Sequence, residues 1–350
     1  MTRYRSILSA SVAAIALAAA GSAFAQSKTL YVGMNGGNFE RTYTQGVFPA
    51  FEKANDVKVV VVPGTSSDIL AKATAAKDKP QMHVMFLDDG VMFRAIGAGL
   101  CEKLNSSPEL GQIPANSRLK DGMAAGIDMG MTGLAYNKKM FDEKGWPAPT
   151  SWMDLADPKY KGKVVFQSAS ASSFGLHAFL MFNRIQGGTE ANVEPGFTKF
   201  RDTIGKNVLE FIPNSAKVAE MVQTGEAAIF PLTPTQVATL KEKGIPVEYA
   251  QPKEGSVVLS VAQCVIANNS EQELAQKLAA YLLSAEAQQK AMEIGNSLPS
   301  NPNAKASTPA VQARLDTVQT YLKTAVVMDW DQINAKRPEW NSRWNKMIER

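Results

Sequence analysis

The sequence predicts a two-lobed α/β protein. Each lobe is a mixed, mostly parallel sheet flanked by helices, and crossing hinge strands join the two. Three observations carry that expectation. Near-continuous apolar strands alternate with helical patterns, as in a parallel sheet covered on both faces. About 325 of the 350 residues follow an N-terminal export signal, more than a single core usually serves. A strand-like run at Ser256–Ala267 comes after a second α/β set, so one lobe is inserted into the other.

Met1-Thr2-Arg3-Tyr4-Arg5 is a short basic opening, followed by an apolar stretch from Ile7 to Ala20 and then Ala23-Phe24-Ala25 before Gln26. A basic start, a short apolar core and an A-x-A end are the parts of a secretory signal peptide, here residues 1–25. The apolar run of roughly 14 residues is shorter than the ~20 that a membrane span needs. Its Ala/Ser-rich core would also make a poor packed helix. The mature chain is expected free in the periplasm or outside the cell.

Thr29–Gly33 reads as the first strand and stops at Asn35-Gly36-Gly37-Asn38. Phe39, Tyr43, Val47, Phe48 and Phe51 then recur at helical spacing. Val57–Val62 is a second strand, closed by Pro63-Gly64, and a helix over Ser67–Lys77 carries Asp68 in its first turn, where the helix dipole favours an acid. Met82–Leu87 is a third strand. It ends at Asp88-Asp89-Gly90 and leads into a helix bearing Met92, Phe93, Ile96 and Leu100.

Met129–Asn137 reads as a strand broken by glycines, and Trp146–Trp152 as a loop. Val164–Phe166, Val208–Phe211, Ala227–Leu232 and Val247–Tyr249 are strands of the second set. Ser172–Arg184, Pro195–Ile204 and Ser215–Thr224 are its helices. After Ser256–Ala267, the pattern is helical from Glu271 to Ile294, and the tail adds more helix with Trp330, Trp340 and Trp344 as packing anchors or surface patches. This gives a discontinuous first lobe (26–130 and 251–300), a second lobe (131–250) and C-terminal helices (301–350) packing on both. The cleft would lie outside the carboxyl ends of the strands, where open α/β sheets hold ligands.

Removing Arg3 and Arg5 lowers the formal charge from +4 to +2, with 35 basic residues against 33 acidic. So small and interspersed an excess gives no reason to expect nucleic acid or an anionic membrane as partner. Cys101 and Cys264 could pair in an oxidising compartment or remain two buried thiols. The two histidines, His83 and His177, each lie within an apolar run and read as core residues. There is no G-x-S-x-G, no H-E-x-x-H and no Cys/His cluster at metal spacing, so neither an enzyme nor a metal or other cofactor is expected.

Several segments together resemble the family-1 extracellular solute-binding proteins, in the spermidine/putrescine-binding-protein-like branch. They are the opening strand ending in Gly36-Gly37, Phe48-Pro-Ala-Phe51-Glu52 and Gly130-Met-Thr-Gly133-Leu-Ala-Tyr-Asn137. To these add Thr150-Ser-Trp152-Met-Asp154-Leu155 with Asp157-Pro-Lys-Tyr160-Lys-Gly162, and Val265-Ile-Ala-Asn268. The resemblance covers nearly the whole mature chain. It implies the type II periplasmic-binding-protein fold, hinge closure on a small solute, and delivery to an inner-membrane ABC permease by a monomer. Tyr-Tyr pairs that hold ferric iron in related branches are absent here.

The resemblance to polyamine binders fails at the cleft. Dications are held by carboxylates and aromatic faces. Where those are expected, this chain has Gly36-Gly37-Asn38, then Gln167-Ser168-Ala-Ser170-Ala-Ser172-Ser173, then only Val, Leu, Ser and Gln through Ser256–Gln263.

The candidate ligand residues follow from these loops. Ser168, Ser170, Ser172 and Ser173 precede a helix, whose free N–H groups and dipole attract an anion. They read equally as a cap and a serine loop. Gly36, Gly37 and Asn38 let a ligand approach backbone at another helix start, or form only a tight turn. Asp88 or Asp89 could pair with an ammonium group while the other caps the helix, and Thr233 in Thr233-Pro-Thr235 could add a hydroxyl. Arg41 and Tyr43 lie near the glycine loop but read as surface and core. The combination favours a small zwitterion or anion such as an amino acid, an ω-amino acid or an aminophosphonate. A polyamine, or presentation of the ligand to a periplasmic sensor, are the alternatives.

Overall fold

The computed structural model describes residues 28–349, so the signal at 1–25 lies outside the described residues. The first three β-α steps are β1 (Lys28–Met34), α1 (Asn38–Thr42), α2 (Phe48–Asn55), β2 (Val57–Pro63), α3 (Ser66–Ala75), β3 (Val84–Asp88) and α4 (Asp89–Gly97). β1 pairs in parallel with both β2 and β3, as apolar strands joined through helices require. The helical stretch after the glycine loop is not one helix: a π turn, Tyr43–Val47, separates α1 from α2. Gly46 and the adjoining turn pack against the end of a later helix, where a Cβ on Gly46 would sit 2.3 Å from Ile294 Cδ1.

Next come β4 (Cys101–Glu102), α5 (Pro108–Gln112), β5 (Arg118–Leu119), β6 (Ala124–Asn137) and α6 (Lys138–Lys144). The second α/β set is β7 (Val164–Gln167), α7 (Ser173–Ile185), α8 (Glu194–Phe200), β8 (Val208–Ile212), α9 (Val218–Gln223), β9 (Ile229–Leu232), α10 (Pro234–Glu242) and β10 (Val247–Ala250). The chain closes with β11 (Val257–Ile266), α11 (Gln272–Leu282), α12 (Ala285–Gly295), α13 (Pro309–Leu322) and α14 (Trp330–Met347).

β6 is the structural pivot. Its 14 residues run unbroken through the glycines. Its first part pairs antiparallel with β11, and its second part pairs antiparallel with β9 and β10. The strand order β2-β1-β3-β11-β6-β9-β7-β8 therefore joins two sheets through β6, with β11 beside it. This is the two-lobed mixed α/β architecture with crossing strands.

Three further expected elements differ. The Glu271–Ile294 pattern is two helices, because Ser284 leaves the helix and accepts the Ala287 N–H as an N-cap. The helix expected to Ile204 ends at Phe200. The one expected from Ser215 starts as a 3₁₀ turn and becomes α9 at Val218.

Cys101 and Cys264 form a disulfide with Cα atoms 5.7 Å apart, within the usual span. It ties β4 to β11. The tail anchors in the second lobe: Trp344 is buried among Phe166, Phe179, Phe200 and Phe211, with ring centroids 5.0 to 5.8 Å away.

Candidate ligand-binding site

β3 delivers Asp88 to the cleft edge. Asp88 takes the N-cap position of α4, yet its side chain makes no cap bond. Its carboxylate instead accepts from the Ser173 hydroxyl at 2.6 Å, while its own N–H donates to Ser66 Oγ at 3.1 Å. Ser173 opens α7, a helix of 13 residues in the other lobe. An acid from one lobe thus sits at the positive end of a helix from the other. Burial raises the Asp88 pKa, partly offset by the hydroxyls of Ser173 and Ser66.

Asp89 is buried, and its Oδ1 accepts the Gly90 N–H at 2.9 Å. Burial, and then the charge of Asp88, push its pKa up to about 7. A third carboxylate joins them. Asp88 on β3 and Asp128 on β6 are both in register with Val261 of the strand between, so they share one face two strand spacings apart. Asp128 accepts the Leu298 N–H at 2.7 Å, and burial lifts its pKa to about 7. Sequence reading missed Asp128 because it began the strand at Met129, whereas β6 begins at Ala124.

The serine loop is built on the end of β7. Ser168 N–H donates to Ile212 O at 2.8 Å, and the Ser168 and Ser170 hydroxyls lie 2.9 Å apart. Ser172 is the N-cap: it accepts the Phe174 N–H and donates to Gln167 Oε1 at 2.7 Å. That bonding leaves the buried Gln167 Nε2 without a partner. Gly175 allows the first turn of α7 to lie on the end of β7, since a Cβ there would meet Gln167 O at 1.9 Å.

The remaining candidates sit apart. Gly37 adopts φ +72, a conformation glycine tolerates, and nothing lies within 4 Å of where its Cβ would be. Gly36 precedes it, and Asn38 Nδ2 donates across the cleft to Thr239 Oγ1 at 3.3 Å. Thr233 caps α10, accepting the Gln236 N–H at 3.2 Å. Arg41 is exposed and donates to Asn38 Oδ1, and Tyr43 is core. The structure therefore brings together Asp88, Asp89 and Ser168–Ser173, while Asn38 bonds to Thr239 of the other lobe and Thr233 caps α10.

Both histidines are buried. His83 Nδ1 accepts the Tyr31 N–H at 2.8 Å. His177, in the second turn of α7, pairs with Thr132 Oγ1 at 2.8 Å, and its Nε2 has no partner. Burial, followed by the charge of Arg337, lowers the His177 pKa to about 3, so the ring is neutral. Arg337, from α14, is buried and donates to the Ala169 carbonyl inside the serine loop. Nothing in the sequence around Arg337 marks it, because its partner is 168 residues away.

Two α/β lobes that meet at a capped serine loop and buried carboxylates fit a protein that holds a small solute between them. The chain belongs to the bacterial extracellular solute-binding protein family, whose family model matches residues 47–317. That family is one of solute-binding proteins, not of enzymes.

Among similar proteins is one from Salmonella typhimurium named for 2-aminoethylphosphonate binding in the periplasm, 23% identical over 89% of each chain. The spermidine/putrescine-binding periplasmic protein of Escherichia coli is 23% identical over 78% of this chain and 79% of its own. The fold matches the periplasmic binding protein AfuA from Actinobacillus pleuropneumoniae, solved with fructose-6-phosphate. Its TM-score is 0.76 and its identity 22%, over 92% of this chain and 99% of that one.

Proposed function

We propose that this protein captures a small zwitterion, with an aminophosphonate such as 2-aminoethylphosphonate preferred over a simple amino acid. The observation that carries the reading is the cross-cleft pair Asp88–Ser173. An ammonium group would take Asp88, with Asp89 and Asp128 behind it. The ligand anion would take the Ser173 hydroxyl and the first-turn N–H groups of α7. In that exchange Asp88 and Ser173 each trade one partner for the ligand, and the lobes close on it.

The Salmonella relative, named for an aminophosphonate, supports this reading. A polyamine is the second reading, favoured by the three carboxylates and the Escherichia coli relative. We further propose that Gly36, Gly37, Asn38 and Thr233 line the same cleft, that the lobes divide at 130/131 and 250/251, and that the protein acts as a monomer without nucleic acid. Export to the periplasm through residues 1–25 is part of the proposal. It is supported by the Cys101–Cys264 disulfide, since such bonds persist in oxidising compartments.

Titration calorimetry of the mature chain against 2-aminoethylphosphonate, 3-aminopropanoate, putrescine and spermidine tests it. Binding to a zwitterion is expected; binding to a diamine and to no zwitterion overturns it. In a thermal-shift format, a hundredfold excess over Kd stabilises by about 2.7 kcal/mol.

A further inference from the structure

The last helix, α14, grips both halves of the site. It is anchored in the second lobe, where Trp344 stacks among the phenylalanines and Arg343 donates to Glu194 at 2.9 and 3.0 Å. Its first turns reach the first lobe. Asp331 pairs with Lys120 at 2.7 Å, and Asn334 Nδ2 donates to the Gly90 carbonyl at 2.8 Å. Gly90 lies two residues after Asp88, in the first turn of α4.

Trp330 and Arg337 complete the arrangement. The buried Trp330 indole lies directly on Gly90, where a Cβ would meet Trp330 Cε3 at 2.5 Å. Its other neighbour is His177 of α7, with ring centroids 5.6 Å apart, so the indole is wedged between helices of the two lobes. Arg337 is 8% exposed and donates to the Ala169 carbonyl, between Ser168 and Ser170. Burying a guanidinium is costly, and this one is held on the backbone of the serine loop.

Positions 330, 334 and 337 share one face of the helix, because residues three and four apart lie over one another. Asn334 and Arg337 stand about 4.5 Å apart along the axis. A single rod therefore joins backbone beside Asp88 to backbone inside the serine loop. A two-lobed binder loses affinity in proportion to the fraction of molecules whose half-sites stand at the wrong separation.

We infer that Trp330, Asn334 and Arg337 are positioning residues, which fix the separation between the Asp88 half of the site and the serine loop. They act through Gly90, His177 and Ala169 and not through the Asp88–Ser173 bond itself. This rests on the reading that the solute takes the place of that bond, and it adds what holds the two halves ready for it.

Calorimetry with 2-aminoethylphosphonate is the first test, run well below the melting midpoint of each variant. Asn334→Ala and Arg337→Met should each weaken binding about tenfold. Arg337→Lys, which can still donate to one carbonyl, should stay within about threefold of the parent. A separation exists only while both grips hold, so the Asn334→Ala, Arg337→Met double variant should be within about twofold of the weaker single. The second test needs no ligand. Nitroxide labels on Lys53→Cys in the first lobe and Lys139→Cys in the second, both exposed, report the distance between lobes with Cys101–Cys264 intact. The distribution should be narrow in the parent and broad in Asn334→Ala and Arg337→Met.

Unchanged affinity and unchanged distances in variants that melt lower would make these residues packing alone and overturn the inference. Losses that multiply in the double variant would mean that each grip serves its own half, and overturn it too. If the parent does not bind 2-aminoethylphosphonate, the ligand reading fails and the label distances decide: broadening in the variants upholds the positioning role, and a parent as broad as its variants overturns it. Asn334 is only partly buried, so Asn334→Ala carries the distance test if Arg337→Met does not fold.

Discussion

The Ser173 hydroxyl of one lobe donates to the Asp88 carboxylate of the other at 2.6 Å, with no side-chain cap bond competing for that acid. The bond joins the two lobes, and the proposed ligand would take its place. Removing either end therefore has two separable effects, one on closure and one on recognition.

Asp88→Asn keeps the shape and removes the charge. Loss of a charge-assisted partner costs about 1.5–3 kcal/mol, so affinity for an ammonium-bearing ligand should drop about tenfold to a hundredfold. Ser173→Ala should weaken the same ligand less, since the α7 N–H groups remain. It should also shift the ligand-free ensemble toward open lobes. Calorimetry reads the first effect, and the radius of gyration from solution scattering reads the second.

Asp89 and Asp128 set a pH response. Both have folded pKa values raised to about 7. The folded protein thus holds their protons more tightly than the unfolded chain between about pH 4 and 7, and stability falls as pH rises through that window. The full cost is on the order of 4 kcal/mol per group, softened by any water that enters. Asp89→Asn should flatten the fall, melting lower than wild type relative to pH 5 behaviour by little and gaining on it at pH 8. Thermal melts across pH 5–8 check this, and an unchanged slope would refute it.

Reduction of Cys101–Cys264 releases a span of 163 residues. In the chain-entropy account such a loop is worth up to about 5 kcal/mol, and 2–4 is the common range. Dithiothreitol should lower the melting temperature by several degrees, and the Cys101→Ala, Cys264→Ala double variant should reproduce the shift without reductant.

Gly175→Ala places a Cβ 1.9 Å from Gln167 O. The backbone must shift, at about 1–3 kcal/mol or more. Because the shifted turn carries Ser172 and Ser173, ligand affinity should fall along with stability. A variant that loses stability but binds normally would separate the serine loop from the site.

Much of the fold was legible because its strands are apolar runs bounded by turn residues: Val57–Pro63 before Gly64, and Val84–Asp88 before Gly90. The breaks were not. The π turn at Tyr43–Val47 is a tertiary accommodation to Ile294, far along the chain, and Ser284 in its helical context carried no stop signal beyond its own hydroxyl. The same division holds at the site. Asp88 and the serines stand at strand ends, where loops converge, and could be nominated from sequence. Asp128 became visible only through its register with Val261, and Arg337 only through a contact with Ala169. Asn38 and Thr233 were nominated by the same strand-end logic, and their bonds to Thr239 and Gln236 could be found only in the folded chain.

β11 is the last strand in the chain, yet it lies between β3 and β6 in the sheet order. During synthesis the first lobe therefore cannot complete its sheet until the whole second lobe has been made. Cys101 likewise waits 163 residues for its partner. The early part of the polypeptide is left without its central strand or its covalent tie for most of its manufacture. A chain wired this way carries both the closing strand of its first lobe and the partner of Cys101 in its final third.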